Sequence, residues 1–118
     1  MTTLHGIPNC DTVRKARAWL DARAIPYAFH DYKKQGIAAD TLAAWAARAG
    51  WEKLLNRAGT TFRKLPPDVT AQLDEPRALA LMAAHPSLIR RPVLTRGDTL
   101  EIGFDPVRYA AVFAPRAG

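Results

Sequence analysis

The stretch His5–Ala16, HGIPNCDTVRKA, decides how the rest of the chain is read. Just before it lies a short β-prone run, Thr2, Thr3, Leu4 and His5, which Gly6, Pro8 and Asn9 interrupt. After Cys10 and Asp11 the pattern turns helical, with Val13, Ala16, Trp19 and Leu20 one to two turns apart. Cys10 therefore falls in a strand-to-helix loop, at the mouth of the helix. It is the only cysteine in the chain.

That position carries chemistry. The first turn of a helix leaves backbone N–H groups unpaired, and the helix dipole places about half a positive charge there. A thiol at such a point is favoured as thiolate, below the free value of about 8.5. Arg14 lies four residues on and leans back toward the N-terminus, over Cys10, whereas the Asp11 carboxylate competes for the same positive end. Position alone leaves both a reactive thiol and a buried structural cysteine open.

Composition narrows the classes. A chain of 118 residues, 48% hydrophobic and 24% charged, reads as a single globular domain. No apolar run approaches the roughly 18 residues that span a bilayer. The start, MTTLHGIPNC, lacks the basic segment and apolar run of a signal peptide, so the expected location is cytoplasmic. A lone cysteine forms disulfides only with another molecule. The net charge of +6 favours anionic partners. Solvated helix faces such as VRKARAWLDARA explain it more simply than a nucleic-acid surface, and an anionic small molecule satisfies it equally well. There is no RNA-binding motif, zinc-ligand cluster or recognition helix, and no metal site is expected. With no heptad and no apolar stripe, the expected state is a monomer.

Further along, AIPYAFHDY (24–32) reads as a second strand entered through Pro26, and KKQGIAAD (33–40) as a loop. Asp40 is the expected cap of a helix running to Gly50, with Leu42, Trp45, Ala46 and Ala49 on one face. Beyond Trp51 the pattern is helical and interrupted. WEKLLNRAG reads as a short helix, TTFRKLPPD as a turn region, VTAQLD as a further turn or two, and PRALALMAAHP as a helix bracketed by prolines. RRPVLTRGDTLEIGF reads as a hairpin, Pro92–Thr95 and Thr99–Ile102 about a turn at Arg96-Gly97-Asp98. Asp105 and Pro106 then open a last helix. Two strands joined across a helix imply a parallel pair, and the hairpin adds antiparallel strands. The simplest assembly is α/β, a mixed four-stranded sheet flanked by helices.

A second feature bears on Cys10. Arg91 precedes Pro92 at the start of a buried strand, where proline belongs because it cannot donate into a sheet. Together, GIPNCDTVRKA, FHDYKK, GWEKLLNRAGTTFRKL, HPSLIRRPVL and IGF resemble the arsenate reductase family of the thioredoxin superfamily. The resemblance is greatest to its YffB-like branch of glutathione-dependent thiol reductases, and more distant to the transcriptional regulator Spx. It runs from about Leu4 to Phe113. It implies a thioredoxin-like core, residues 1–118, with a helical insert at about 40–86 between its halves.

The resemblance also implies roles. Cys10 becomes the catalytic nucleophile, attacking an oxyanion or a mixed disulfide, with glutathione as co-substrate, with or without glutaredoxin, and no bound cofactor. Arg14 and Arg91 become anion-binding residues, and the Arg91–Pro92 bond is expected to be cis. A further family arginine falls on Arg57 or Arg63, which the alignment does not separate. Thr12 is a candidate hydroxyl donor to the site, and Asn9 a residue that shapes the loop. Where the family's arsenate reductases carry another arginine, this chain has Gly103. Losing one charge-assisted bond, worth about 1.5–3 kcal/mol, weakens the hold on a compact oxyanion, so a disulfide or glutathione-conjugate substrate is favoured over arsenate. Spx-like proteins carry a second cysteine where Val13 stands, which removes an internal C-x-x-C switch. The alternatives are an arsenate reductase proper and a non-enzymatic, Spx-like regulator that contacts RNA polymerase. His5, His30 and His85 read as structural, while Asp31, Lys33 and Lys34 read either as a charge patch for glutathione or as a solvated strand end. Trp19, Trp45, Trp51 and Phe62 read as core.

Overall fold

The computed structural model describes residues 1–114. In chain order the elements are β1 (Thr2–Gly6), α1 (Asp11–Ala22), β2 (Ala28–Asp31), α2 (Tyr32–Gln35), α3 (Ala39–Ala49), α4 (Trp51–Leu54), α5 (Thr60–Arg63), α6 (Pro67–Thr70), α7 (Glu75–Ala84), a 3₁₀ turn (Pro86–Leu88), β3 (Val93–Arg96), β4 (Thr99–Ile102) and α8 (Pro106–Phe113). The chain divides into two compact units, one formed by Met1–Asp31 with the segment from Arg91 onward, the other by Tyr32–Arg90. In sequence, the second unit contains the stretch of about 40–86 where the resemblance implies a helical insert.

The first unit is built on a four-stranded sheet of order β2-β1-β3-β4. β1 and β2 run parallel, while β1–β3 and β3–β4 are antiparallel. This is the mixed sheet that the element order implies. Register places Leu4 opposite Phe29 on one side and Leu94 on the other. Leu4 and Leu94 are fully buried with Ala16 and Leu20 of α1 and Tyr109 of α8, so one face of the sheet is covered by those two helices. Burying each large apolar side chain contributes about 1.5–3 kcal/mol. Tyr109 meets Phe104 and Trp19 edge-on, at centroid separations of 4.9 and 5.6 Å.

Local chemistry sets the ends of these elements. Helix α1 buries Val13, Ala16 and Leu20, a three- and four-residue spacing that forms one face. A Cβ on Gly6 would stand 2.8 Å from Val13 Cγ2, so glycine lets the end of β1 rest directly on the first turn of α1. Helix α8 opens as its sequence leads one to expect, with Asp105 Oδ1 accepting the Val107 N–H at 2.8 Å and Pro106 in the first turn. In the hairpin, Arg96 belongs to β3 and pairs with Thr99, leaving Gly97 and Asp98 as the turn; the strand begins at Val93 and not at Pro92.

In the second unit, α3 buries Leu42, Trp45 and Ala46 and packs on α4 and α7, which bury Leu54 and Ala78 with Met82. Five expectations need correction here. The second strand stops at Asp31, and Tyr32 is fully buried at the start of α2, which takes up Lys33, Lys34 and Gln35 from the expected loop. Asp40 does not cap α3: the N-cap is Ala38, which has no side-chain acceptor, and Asp40 sits in the first turn, where its charge still meets the helix dipole. The expected turn region TTFRKLPPD contains α5, one turn of helix. VTAQLD contributes only Val69 and Thr70 to α6, which begins at Pro67.

Candidate functional site

Cys10 closes the turn Ile7–Cys10, its N–H donating to the Ile7 carbonyl at 3.2 Å, and its own carbonyl accepts the Arg14 N–H at 2.9 Å. It is the N-cap residue of α1, in extended backbone (φ −86°, ψ 129°) and partly buried. Its side chain makes no capping bond of the usual oxygen type. Burial pushes the Cys10 thiol up, but the Val13 N–H, the Arg91 guanidinium and the Thr12 N–H, together with the Arg91 charge, outweigh it and leave the thiol below its ordinary value.

Two strands bring these groups together. Pairing of His5 with Val93 sets the residues just before β3 beside the C-terminal end of β1, where the Cys10 loop begins. The Arg91–Pro92 bond is cis. The Pro92 carbonyl accepts the Gly103 N–H at 2.8 Å, and His5 Nδ1–H donates to the Val93 carbonyl at 3.0 Å. Gly103 has φ +85°, and Tyr109 Oη lies 3.5 Å from its carbonyl oxygen, a long bond.

The residues singled out in the sequence divide accordingly. Cys10 and Arg91 come together. Thr12 takes part through its backbone N–H, and its exposed side chain makes no contribution to the thiol's shift. Arg14 does lean toward the N-terminus, but its guanidinium is held by Asp11 Oδ1 at 2.6 Å and by the Asn9 carbonyl at 3.1 Å. Its expected place over Cys10 is thereby corrected: the carboxylate three residues back, on the same face, is the stronger partner. Asn9 contributes that carbonyl, in the turn before Cys10. Arg57 and Arg63 lie in the helical unit, Arg57 with its guanidinium 5.9 Å from the Trp51 ring centre and Arg63 in the single turn of α5. Sequence reading missed the Val13 N–H, although the third residue after an N-cap is where a capping side chain finds its donor. Among the described residues no group of three His, Cys, Asp or Glu could hold a metal ion.

The model of the ArsC family matches residues 5–112. Among solved structures, a protein described as YFFB superposes with a TM-score of 0.94 at 52% identity, covering 97% of this chain and all of that one. An arsenate reductase (ArsC) related protein from Brucella melitensis is 53% identical, with a TM-score of 0.76, over 97% of this chain and 95% of its own. An uncharacterized protein of Haemophilus influenzae is 40% identical over 97% of this chain and its own full length. The global transcriptional regulator Spx 1 of Lactococcus lactis is 33% identical over 98% of this chain and 91% of its own. The fold is the thioredoxin-like α/β arrangement that the sequence resemblance implies. No helix among the described residues is long and apolar enough to cross a membrane.

Proposed function

Because the chain belongs to the ArsC family, we propose that it is a monothiol oxidoreductase that uses the Cys10 thiolate and takes its reducing electrons from glutathione. The observation that carries this reading is the place of Cys10 as N-cap of α1, at the sheet end to which β1–β3 pairing brings Arg91, with its thiol held below the ordinary value. A thiolate available near neutral pH is the attacking species in disulfide exchange.

The chemistry then balances as follows. The Cys10 thiolate attacks the glutathione sulfur of a mixed disulfide, forming a Cys10–glutathione disulfide and expelling the substrate thiolate, which takes a proton from water. The thiolate of a second glutathione attacks the bound glutathione sulfur, releasing oxidised glutathione and regenerating the Cys10 thiolate. Summed, the mixed disulfide and one free glutathione become the substrate thiol and oxidised glutathione, with Cys10 returned unchanged. Arg91 favours the anion at both ends of the cycle, because the same sulfur attacks first and leaves last. With one cysteine in the chain, the resolving thiol comes from a second molecule.

Arsenate fits less well. A compact oxyanion is bound by several guanidinium forks. Here Arg14 is engaged by Asp11, and Gly103 stands where the family's arsenate reductases have an arginine. A disulfide or glutathione conjugate needs fewer charges. The likeness to Spx 1 supports a second reading, a transcriptional regulator. In that case a redox switch of the C-x-x-C type is absent, since Val13 occupies the second position.

The test is the pH dependence of Cys10 alkylation, repeated with oxidised glutathione and followed by intact mass. A midpoint below about 8.5, with one glutathione adduct that disappears in Cys10→Ser, supports the enzyme reading. A midpoint at or above that value, with no adduct, removes it and leaves the regulator.

A further inference from the structure

The end of the sheet remote from Cys10 carries an unassigned groove. Thr2 pairs with Arg96 at one end of β1 and β3, while His5 pairs with Val93 at the other. Around Arg96 three cavities of about 560, 580 and 790 Å³ meet, all of them lined in part by that residue. Trp19, Ile25, Pro26 and Phe113 give the first an apolar floor. Each cavity alone is of the size that holds a small ligand. Arg96 lines all three, so they lie side by side along this end of the sheet.

Two arginines, Arg23 and Arg96, line the groove, and a third, Arg17, stands behind its Tyr27 wall; each is set on an aromatic ring. The Arg23 guanidinium lies 3.9 Å from the Trp19 ring centre and donates to the Trp19 carbonyl at 3.2 Å. Arg96 lies 5.0 Å from the Phe113 ring centre and donates to the Val112 carbonyl at 2.9 Å. Arg17 lies 4.2 Å from the Phe29 ring centre and donates to the hydroxyl of Tyr27, which lines the second cavity. Among the described residues none of the three has a carboxylate partner, whereas Arg14, Arg77 and Arg108 each have one. Their side chains are thus held in place while their charge is left unneutralised, and such pre-ordering lowers the entropy lost on binding an anion. Asp98, on the lip of the third cavity, restricts the anionic contacts to the Arg17, Arg23 and Arg96 side.

We propose that this groove docks an acidic peptide segment of a partner protein, with a large apolar side chain seated on Trp19 and Phe113 and carboxylates on Arg17, Arg23 and Arg96. A phosphate chain would gain from the arginines but nothing from the apolar floor, so a peptide uses more of what the groove offers. The inference does not depend on the chemistry of Cys10.

The experiment is an NMR titration of the full ¹⁵N-labelled chain with the capped peptide EDDLFDDE. Controls are the charge-reversed KRKLFKRK, the anchor-free EDDGSDDE and inorganic polyphosphate. The expected result is saturable shifts at the Trp19 indole and the Arg23, Arg96 and Phe113 amides. Affinity should fall about tenfold or more in the exposed-site variants Arg23→Gln and Arg96→Gln, and by a similar factor for the anchor-free peptide. The proposal is overturned if no saturable shift occurs, if the shifts map elsewhere, or if polyphosphate and the anchor-free peptide bind as well as EDDLFDDE. It is also overturned if only a variant ending at Ala114 binds the peptide, for then the chain's own end is the occupant.

Discussion

The imidazole of His5 donates from Nδ1 to the carbonyl oxygen of Val93 at 3.0 Å, tying β1, just before the Cys10 loop, to β3, just after Arg91–Pro92. The contact is buried, and the His5 ring stands 5.2 Å from that of His30 on the neighbouring strand. Burial holds the His5 pKa below its ordinary value; the Val93 bond opposes this and the charge of His30 adds to it. His5 thus serves as a neutral strut between the two segments that form the site.

The pH dependence follows from that shift. A folded-state pKa below the unfolded value of about 6.5 means that the unfolded chain takes up a proton first as pH falls. His5 therefore opposes folding increasingly below that value, and its penalty vanishes above it. Urea denaturation from pH 7.5 to 5 should show stability declining in the native protein, and declining less steeply in His5→Gln, which retains a donor. Equal slopes would mean that His5 has no such role.

Arg91 and Arg14 separate two accounts of the thiolate. Arg91 both donates to and is charged beside Cys10, while Arg14 is held by Asp11. Replacing Arg91 by Gln should raise the midpoint of the Cys10 alkylation profile, and Arg14→Gln should leave it nearly where it is. If Arg14→Gln gives the larger rise, the ion pair with Asp11 does not persist in solution.

How much of this was legible in the sequence depends on the range of the interaction. The Cys10 loop, α1, the Asp105 cap and the two strands of the hairpin rest on local chemistry, and their residues announce them. The partner of Arg14 was legible too, since Asp11 lies three residues away; the expected reach to Cys10 gave too little weight to a full carboxylate charge. Short helices such as α5 have no periodicity to read, because a single turn offers one apolar contact. The bonds from His5 to Val93 and from Gly103 to Pro92 join distant segments, and nothing local to either sequence announces them.

Gly6 permits the close packing of β1 on α1. With Val13 Cγ2 2.8 Å from the position of an added Cβ, and Val13 itself fully buried, Gly6→Ala has no room to relax. Overpacking of this kind costs about 1–3 kcal/mol, which a shift in the urea midpoint at unchanged slope would register. Pairing it with Val13→Ala should recover part of the loss, since the smaller side chain removes the clash. No recovery would place the cost in the backbone.

Gly103 presents the opposite case, a position with space but with a demanding backbone. Nothing lies within 4 Å of an added Cβ, yet φ is +85°. The cost of substitution is therefore conformational, about 1–2 kcal/mol for an ordinary residue held in the left-handed region. Asn, which tolerates that region better than Ala, should cost less, and Val more than either. The same ranking should appear in the site, because the Gly103 N–H holds the Pro92 carbonyl next to Arg91. As Gly103 is forced toward negative φ, that bond lengthens, Arg91 loses its seat, and the midpoint of Cys10 alkylation rises in the order Gly, Asn, Ala, Val. Measuring stability and alkylation midpoint across the four proteins checks both links. A stability ranking without a matching rise in midpoint would show that Arg91 reaches the sulfur independently of the Gly103–Pro92 bond.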